Sequence, residues 1–260
     1  MGEVLIALAI LGGLGLLFGA LLGVASIAFR VREDERVEQI IACLPGANCG
    51  GCGYAGCANF AQAVVDGAAA VGGCPVSNAA QKAQIAEVMG QAAQESEKLC
   101  ATVLCSGAYG VAEEKYKYYG IDDCNAAARL GGGQKQCEYA CLGLGTCVKV
   151  CKFDAIHVKD GVAKVDRDKC TACGMCVKAC PKHVIELVPA DAQRIVMCKS
   201  QEKGPAVTKA CRVGCIGCRL CVKACPVDAI QVEHNLAKID YKKCIDCGMC
   251  KEKCPRGIIA

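Results

Sequence analysis

Cysteine is the residue type through which this chain could do chemistry. There are 26 among 260 residues, and most fall into a few fixed spacings. Cys170, Cys173, Cys176 and Cys180, followed by Pro181, follow the pattern C-x2-C-x2-C-x3-C-P. Cys215, Cys218, Cys221 and Cys225 with Pro226 repeat it, as do Cys244, Cys247, Cys250 and Cys254 with Pro255. This spacing holds a pair of [4Fe–4S] cubanes: three close thiolates bind one cluster, and the fourth reaches across to its neighbour. The C-terminal pair then divides into Cys215, Cys218, Cys221 and Cys254 for one cluster, and Cys244, Cys247, Cys250 and Cys225 for the other. Thiolates placed in this way, with no bond-making side chains beside them, predict one-electron transfer and no catalytic residue.

A shift of 74 residues superposes nine cysteines. Cys124, Cys137, Cys141, Cys147, Cys151, Cys170, Cys173, Cys176 and Cys180 fall on Cys198, Cys211, Cys215, Cys221, Cys225, Cys244, Cys247, Cys250 and Cys254. About half the chain is therefore a duplication of a bacterial-ferredoxin unit. The first copy departs from the pattern, with Leu144 at the position of Cys218 and Lys152 in place of the proline. Cys137 is the nearest thiol to fill the gap. The expected sets are Cys137, Cys141, Cys147 and Cys180 for one cluster, with Cys170, Cys173, Cys176 and Cys151 for its partner.

Upstream, Cys49, Cys52, Cys57 and Cys74 form a glycine-rich C-x2-C-x4-C-x16-C module that suits one more cluster. Four thiolates also satisfy a tetrahedral zinc site, and spacing alone leaves both open. Of the remaining six cysteines, Cys105, Cys124, Cys198 and Cys211 are expected to hold a sixth cluster that ties the two copies together. The alternative for that set is free buried thiols. Cys43 and Cys100 are read as small buried residues.

Composition narrows the class. A secreted disulfide scaffold is the usual competitor for a cysteine-rich chain. The tight C-x2-C-x2-C spacing, the Gly/Ala-rich turns and the length all favour metal instead. The formal charge of +4 counts thiols as neutral; six oxidised cubanes with four thiolates each, at about −2 apiece, would bring the loaded protein to about −8. Lysines alternate with acids and no aromatic stacking platform accompanies them, so nucleic acid is not a partner. Aromatics make up 4% and Trp is absent. Metal must therefore organise much of the fold, and without it the chain beyond residue 100 is expected to be largely unfolded. There is no Walker loop, no Gly-x-Gly-x-x-Gly after a predicted strand and no Ser/His/Asp set. His157, His183 and His234 are scattered and read as surface residues. The chain must take its chemistry from partners.

The elements that position these thiols begin with an anchor. Val4 to Phe29 carries no charge and is long enough to span a bilayer. A secretory signal would want a basic start and a shorter apolar core, whereas Glu3 alone precedes this run. Arg30, Arg32 and Arg36 follow it, so the positive-inside rule puts the N-terminus outside and the rest of the chain in the cytoplasm. Gly15, Gly19 and Gly23 form a smooth stripe along this helix, suited to a neighbouring membrane helix. The expected organisation is a transmembrane anchor over 1–29, the glycine-rich 4Fe–4S module over 30–78, and a helical linker over 79–130. Two ferredoxin-like domains follow, over 131–190 and 191–260. Within the linker, 79–99 and 111–130 read as helices. Asp160-Gly161 and His234-Asn235 mark hairpin turns. Ile156, Ile185, Ile230 and Ile259 each stand five residues after a fourth cysteine, where an apolar side chain would cover a cluster face. The fold class is α+β: one N-terminal transmembrane helix, a small glycine-rich 4Fe–4S module and two tandem bacterial-type 2[4Fe–4S] ferredoxin folds.

The order of parts resembles the B subunits of the Rnf complexes, membrane-bound ion-pumping ferredoxin:NAD oxidoreductases. The residues that carry the likeness are the N-terminal span, Leu44-Pro-Gly-Ala-Asn-Cys49-Gly-Gly-Cys52-Gly, Cys137-Glu-Tyr-Ala-Cys141-Leu-Gly-Leu-Gly-Thr-Cys147, and Val213-Gly-Cys215-Ile-Gly-Cys218. The resemblance implies a single-pass component of the cytoplasmic membrane, a non-catalytic electron relay within a redox-driven translocase. It also implies that soluble ferredoxin supplies electrons, that sibling membrane and peripheral subunits are partners, and that those siblings bind flavins and NAD(H) and move the ion. A polyferredoxin component of a membrane hydrogenase or CO-oxidising complex would share the ferredoxin repeats. The glycine-rich module behind a membrane span separates the two.

Overall fold

The protein is described by a computed structural model over residues 2–28, 34–92 and 97–260. Helix α1, Gly2–Ala28, is continuous. Its stretch Leu8–Ala28 is long and apolar enough to cross a membrane, and the rest of the protein buries none of it. Leu16 and Ile27 are each 79% exposed. Exposed apolar surface on every side of a helix calls for lipid or other apolar helices around it, consistent with membrane association. Nothing lies within 4 Å of where a Cβ would sit on Gly15, Gly19 or Gly23. Arg30 and Arg32 lie outside the described residues. Arg36 forms an ion pair with Asp34, whose side chain also caps α2, Glu35–Cys43.

The glycine-rich module is a small helical unit. With α2 it comprises α3, Cys57–Val65, and α4, Ala79–Val88. Asn78 and Gln81 close a reciprocal capping box at the start of α4, satisfying two otherwise orphaned backbone donors. Ile40, Phe60, Val64 and Ile85 form its core, with Cys74 buried among them. Cys43 is only partly buried on this core, whereas Cys100 is 1% exposed.

The expected helix over 79–99 stops at Val88, and Gly90 beyond it has a left-handed backbone. Leu99–Val103 is instead a strand, β1. Further on come α5, Cys124–Arg129, α6, Thr146–Lys149, and the strands β2, Ile156–Lys159, and β3, Val162–Val165. They are followed by α7, Met175–Ala179, and β4, Ile185–Pro189. β1 pairs antiparallel with β4, Leu99 opposite Pro189 and Val103 opposite Ile185. A segment that looked like linker thus completes the first ferredoxin-like fold. Its partner strand is remote in sequence, and local propensity carries no sign of such a pairing. The second expected helix, over 111–130, is also shorter than read. Only Cys124–Arg129 is helical, while Ala112 bridges Cys211 and Glu114 bridges Lys135.

The hairpins form as read. β2 pairs with β3 through Asp160 (φ 53°) and Gly161 (φ 72°). The second copy contains α8, Gly204–Ala210, α9, Leu220–Ala224, β5, Ile230–Glu233, β6, Leu236–Ile239, and α10, Met249–Glu252. β5 pairs with β6 through His234 (φ 48°) and Asn235 (φ 63°). Two successive positive φ values make both turns type I′, which matches strand twist. Each turn supports a cysteine loop from the same copy. A Cβ on Gly143 would lie 2.4 Å from the Gly161 carbonyl oxygen, and one on Gly217 would lie 2.8 Å from that of Asn235. Glycine is required at both positions by close approach as well as by positive φ.

The ferredoxin-like cores are cysteine-lined. Ile156 and Ile185 (each 2% exposed) pack with Cys141 and Cys147; Ile230 (3%) and Ile259 (2%) pack with Cys215, Cys221 and Cys250. His157, His183 and His234 are exposed. The first copy also contains a buried cation: Lys135 is 1% exposed, and its ammonium donates to the Gly107 carbonyl at 2.6 Å and to the Gly161 carbonyl at 2.8 Å. These bonds tie the segment after Cys105 to the β2–β3 turn. Lys135→Met should leave two carbonyls without a charged donor. It should lower unfolding stability by about 3 kcal/mol, read from the denaturation midpoint of the cluster-loaded protein.

Candidate metal centres

The thiols gather into quartets, each drawn from segments distant in the chain. Cys215, Cys218, Cys221 and Cys254 line a cavity of about 360 Å³ beneath Ile259. Cys225, Cys244, Cys247 and Cys250 line one of about 280 Å³, and Cys151, Cys170, Cys173 and Cys176 one of about 340 Å³ beneath Ile156. In each, a short helix following the first thiols and a distant fourth cysteine close the ring, as the spacing predicts.

The remaining two quartets differ from expectation by one exchange. Cys124, not Cys137, lines the cavity of about 310 Å³ with Cys141, Cys147 and Cys180. Cys137 instead joins Cys105, Cys198 and Cys211 around a cavity of about 400 Å³ between the two copies. The thiols themselves carry the same grouping. Burial pushes Cys147 up to about 12, with Cys141, Cys124 and Cys180 adding to it. Burial likewise pushes Cys137 up to about 11, with Cys198 and Cys105 adding to it.

The cause is a difference in loop length. Cys105 precedes Cys137 by 32 residues, but Cys198 precedes Cys211 by 13. A uniform 74-residue shift therefore sets Cys198 against Cys124, whereas its true structural counterpart is Cys105. The Cys141 amide donates to Cys105 Sγ at 3.4 Å, and the Cys215 amide donates to Cys198 Sγ at the same distance. Cys124, carried on the longer loop, supplies the thiol that Leu144 cannot. It is held at the N-terminus of α5, where Thr146 Oγ1 accepts from the Cys124 amide at 2.6 Å and donates to Asp123 Oδ2 at 2.9 Å. The similar contexts of Cys105 (after Val-Leu) and Cys198 (after Val-Met) were the one sequence signal for the correct pairing.

These surroundings fit a cubane. Each of these five quartets lines a cavity, and among the described residues no three His, Cys, Asp or Glu side chains approach closely enough to hold a single ion. None of the 26 cysteines is in a disulfide. Backbone amides point at sulfur: Ala101 N to Cys170 at 3.4 Å, Ala163 N to Cys141 at 3.4 Å, and Ala229 N to Cys225 at 3.3 Å. Such donors stabilise sulfur-borne negative charge and set the potential.

The glycine-rich module docks on the first copy. A Cβ on Gly51 would lie 2.6 Å from the Cys173 carbonyl oxygen, so only glycine permits this seam. Lys152, the residue that displaces the expected proline, donates from its ammonium to the Asn48 carbonyl at 2.7 Å. Asn48 Oδ1 in turn accepts from the Cys57 amide at 2.8 Å. Cys49 lies close enough to Cys173 to raise it further, beyond what burial does.

Comparison with known proteins adds three family matches: an iron–sulfur (Fe-S cluster) family over residues 44–76, a 4Fe-4S binding domain over 163–186 and a 4Fe-4S dicluster domain over 214–259. The match in the first copy begins after the departures at Leu144 and Lys152. Over the whole of this chain, the B subunit of the Na(+)-translocating ferredoxin:NAD(+) oxidoreductase complex of Acetobacterium woodii is 48% identical, with 78% of its own length covered. The B subunit of the ion-translocating oxidoreductase complex of Methanosarcina acetivorans is 42% identical, with 99% covered. The B subunit of the proton-translocating ferredoxin:NAD(+) oxidoreductase complex of Clostridium ljungdahlii is 43% identical, with 93% covered.

The exchanged quartets can be separated by iron counting. Cys105→Ser and Cys137→Ser should each remove the same four or so iron atoms, and the double variant should lose no more than either single one. Adding Cys124→Ser to Cys137→Ser should remove a second cluster.

Proposed function

Since the chain belongs to the family of B subunits of the Rnf ion-translocating oxidoreductase complexes, we propose that it accepts electrons from reduced ferredoxin and relays them to its sibling subunits. It is an iron–sulfur electron-transfer protein carrying [4Fe–4S] clusters, in a complex with other subunits. In our reading it holds six clusters, and α1 is a single membrane span with its N-terminus outside and the rest of the chain in the cytoplasm.

The proposed ligand sets are Cys49, Cys52, Cys57 and Cys74; Cys151, Cys170, Cys173 and Cys176; Cys124, Cys141, Cys147 and Cys180; Cys105, Cys137, Cys198 and Cys211; Cys215, Cys218, Cys221 and Cys254; and Cys225, Cys244, Cys247 and Cys250. When bound, the clusters supply one-electron redox chemistry. The chain's own part is to hold the thiolates, direct amides at them and keep water from their faces with Ile156, Ile185, Ile230 and Ile259.

The observation that carries the relay is the unbroken succession of neighbouring thiols. Gly51, two residues from Cys49, packs on the Cys173 backbone, Cys176 packs in the same core as Cys147, the Cys141 amide donates to Cys105 Sγ, and the Cys215 amide donates to Cys198 Sγ. Cys221 and Cys250 share one core. Each neighbour belongs to the next quartet, so the succession runs from the membrane-proximal module to the C-terminus.

Oxygen-free preparations should be brown, contain about 24 iron atoms per chain, and lose most of their ordered structure beyond residue 100 when iron is stripped, as followed by circular dichroism. Membranes should reduce NAD with reduced ferredoxin only when this chain is present. Pale, iron-free material would overturn the reading.

A further inference from the structure

The two copies differ in what covers one equivalent face. In the first copy, Cys173 lies under the glycine-rich module, with Gly51 against its backbone and Cys49 beside its thiol. Its counterpart in the second copy is Cys247, and that residue is exposed; Cys218 is the one other exposed cysteine of the 26. The surroundings have changed to match. Thr171 becomes Ile245, 61% exposed, while the methionine at position 175 is kept as Met249, 40% exposed. Asp168 becomes Lys242, which with Lys243 and Lys251 is exposed to solvent. From residue 242 to 256 there are five basic residues and two acidic ones; of the bases, Arg256 is turned inward, donating to the Cys211 carbonyl at 2.7 Å and the Gly214 carbonyl at 3.2 Å. Of the acids, Asp246 is turned inward, accepting from the Arg194 amide at 3.1 Å and the Gln193 amide at 3.3 Å.

We propose that the face formed by Cys247, Ile245, Met249, Lys242 and Lys243 is the docking surface for a small, soluble one-electron carrier protein with an acidic face. The inference rests on the relay reading and names where its external partner binds. The first copy shows what this side of the fold accommodates: a second cluster-bearing unit brought against the thiol. The second copy presents the same side uncovered, with an apolar centre and a basic rim, the general anatomy of a protein interface. The rim charges select an acidic partner and speed its encounter. The docked carrier would give up one electron and be oxidised, and Cys225, Cys244, Cys247 and Cys250 would hold the [4Fe–4S] cluster that supplies the one-electron acceptor.

The test uses the full, cluster-loaded chain and a purified acidic two-cluster ferredoxin as probe. Lys242→Glu/Lys243→Glu should weaken binding of the oxidised ferredoxin at low salt. It should also slow reduction by reduced ferredoxin about tenfold or more, the difference shrinking at high salt. Iron content and reduction by dithionite should stay unchanged. Ile245→Asp should slow the reaction at both salt concentrations. Equal binding and rates in variant and wild type would overturn the docking face while leaving the relay intact. Failure of reduced ferredoxin to reduce the wild-type chain would overturn the relay itself. In the intact complex purified from membranes, loss of sibling subunits from the same variant, with ferredoxin rates unchanged, would assign the face to one of those siblings and refute the proposal.

Discussion

The constraint that organises this protein is geometric: a cubane needs four thiolates at its iron corners, and a C-x2-C-x2-C run supplies only three. Three quartets combine a tight run of cysteines with one from elsewhere, two draw on thiols spread far along the chain, and the chain must double back to bring them together. The type I′ hairpins, the glycines pressed against their turns and the isoleucines over the sulfur-lined cavities all serve that reversal. With few aromatics and no Trp, the described core is mostly Ile, Val, Ala and Cys.

How much of this was legible depended on the range of the interaction. Three quartets could be read directly from C-x2-C-x2-C-x3-C-P, because the ligand exchange within a ferredoxin pair is fixed by local spacing. Asp160-Gly161 and His234-Asn235 gave their turns for the same reason. The exchange of Cys124 and Cys137 was not legible, since a constant shift assumes equal loops and the first copy carries a longer one. β1 was missed because its partner, β4, lies far down the chain. The helical bias of 79–99 was real for Ala79–Val88, but tertiary pairing took over beyond Gly90.

Departures from the repeat turn out to be where the two copies take on different neighbours. Lys152 breaks the ferredoxin pattern and uses its ammonium to fasten the glycine-rich module through Asn48. Leu144 gives up a thiol that Cys124 returns from another segment. At Cys247 the second copy has the same thiol as the first but surrounds it with exposed apolar and basic side chains. The duplication has left two scaffolds of the same shape, one facing inward to its own chain and one facing outward.

The cavity lined by Cys105, Cys137, Cys198 and Cys211 bears on how the protein is made. Its first two thiols leave the ribosome well before the last two, an interval on the order of seconds at ordinary elongation rates. During that time the N-terminal copy cannot close this site by itself. On the proposed assignment of these four thiols to one cluster, its inorganic core can be completed only after the remaining half has emerged.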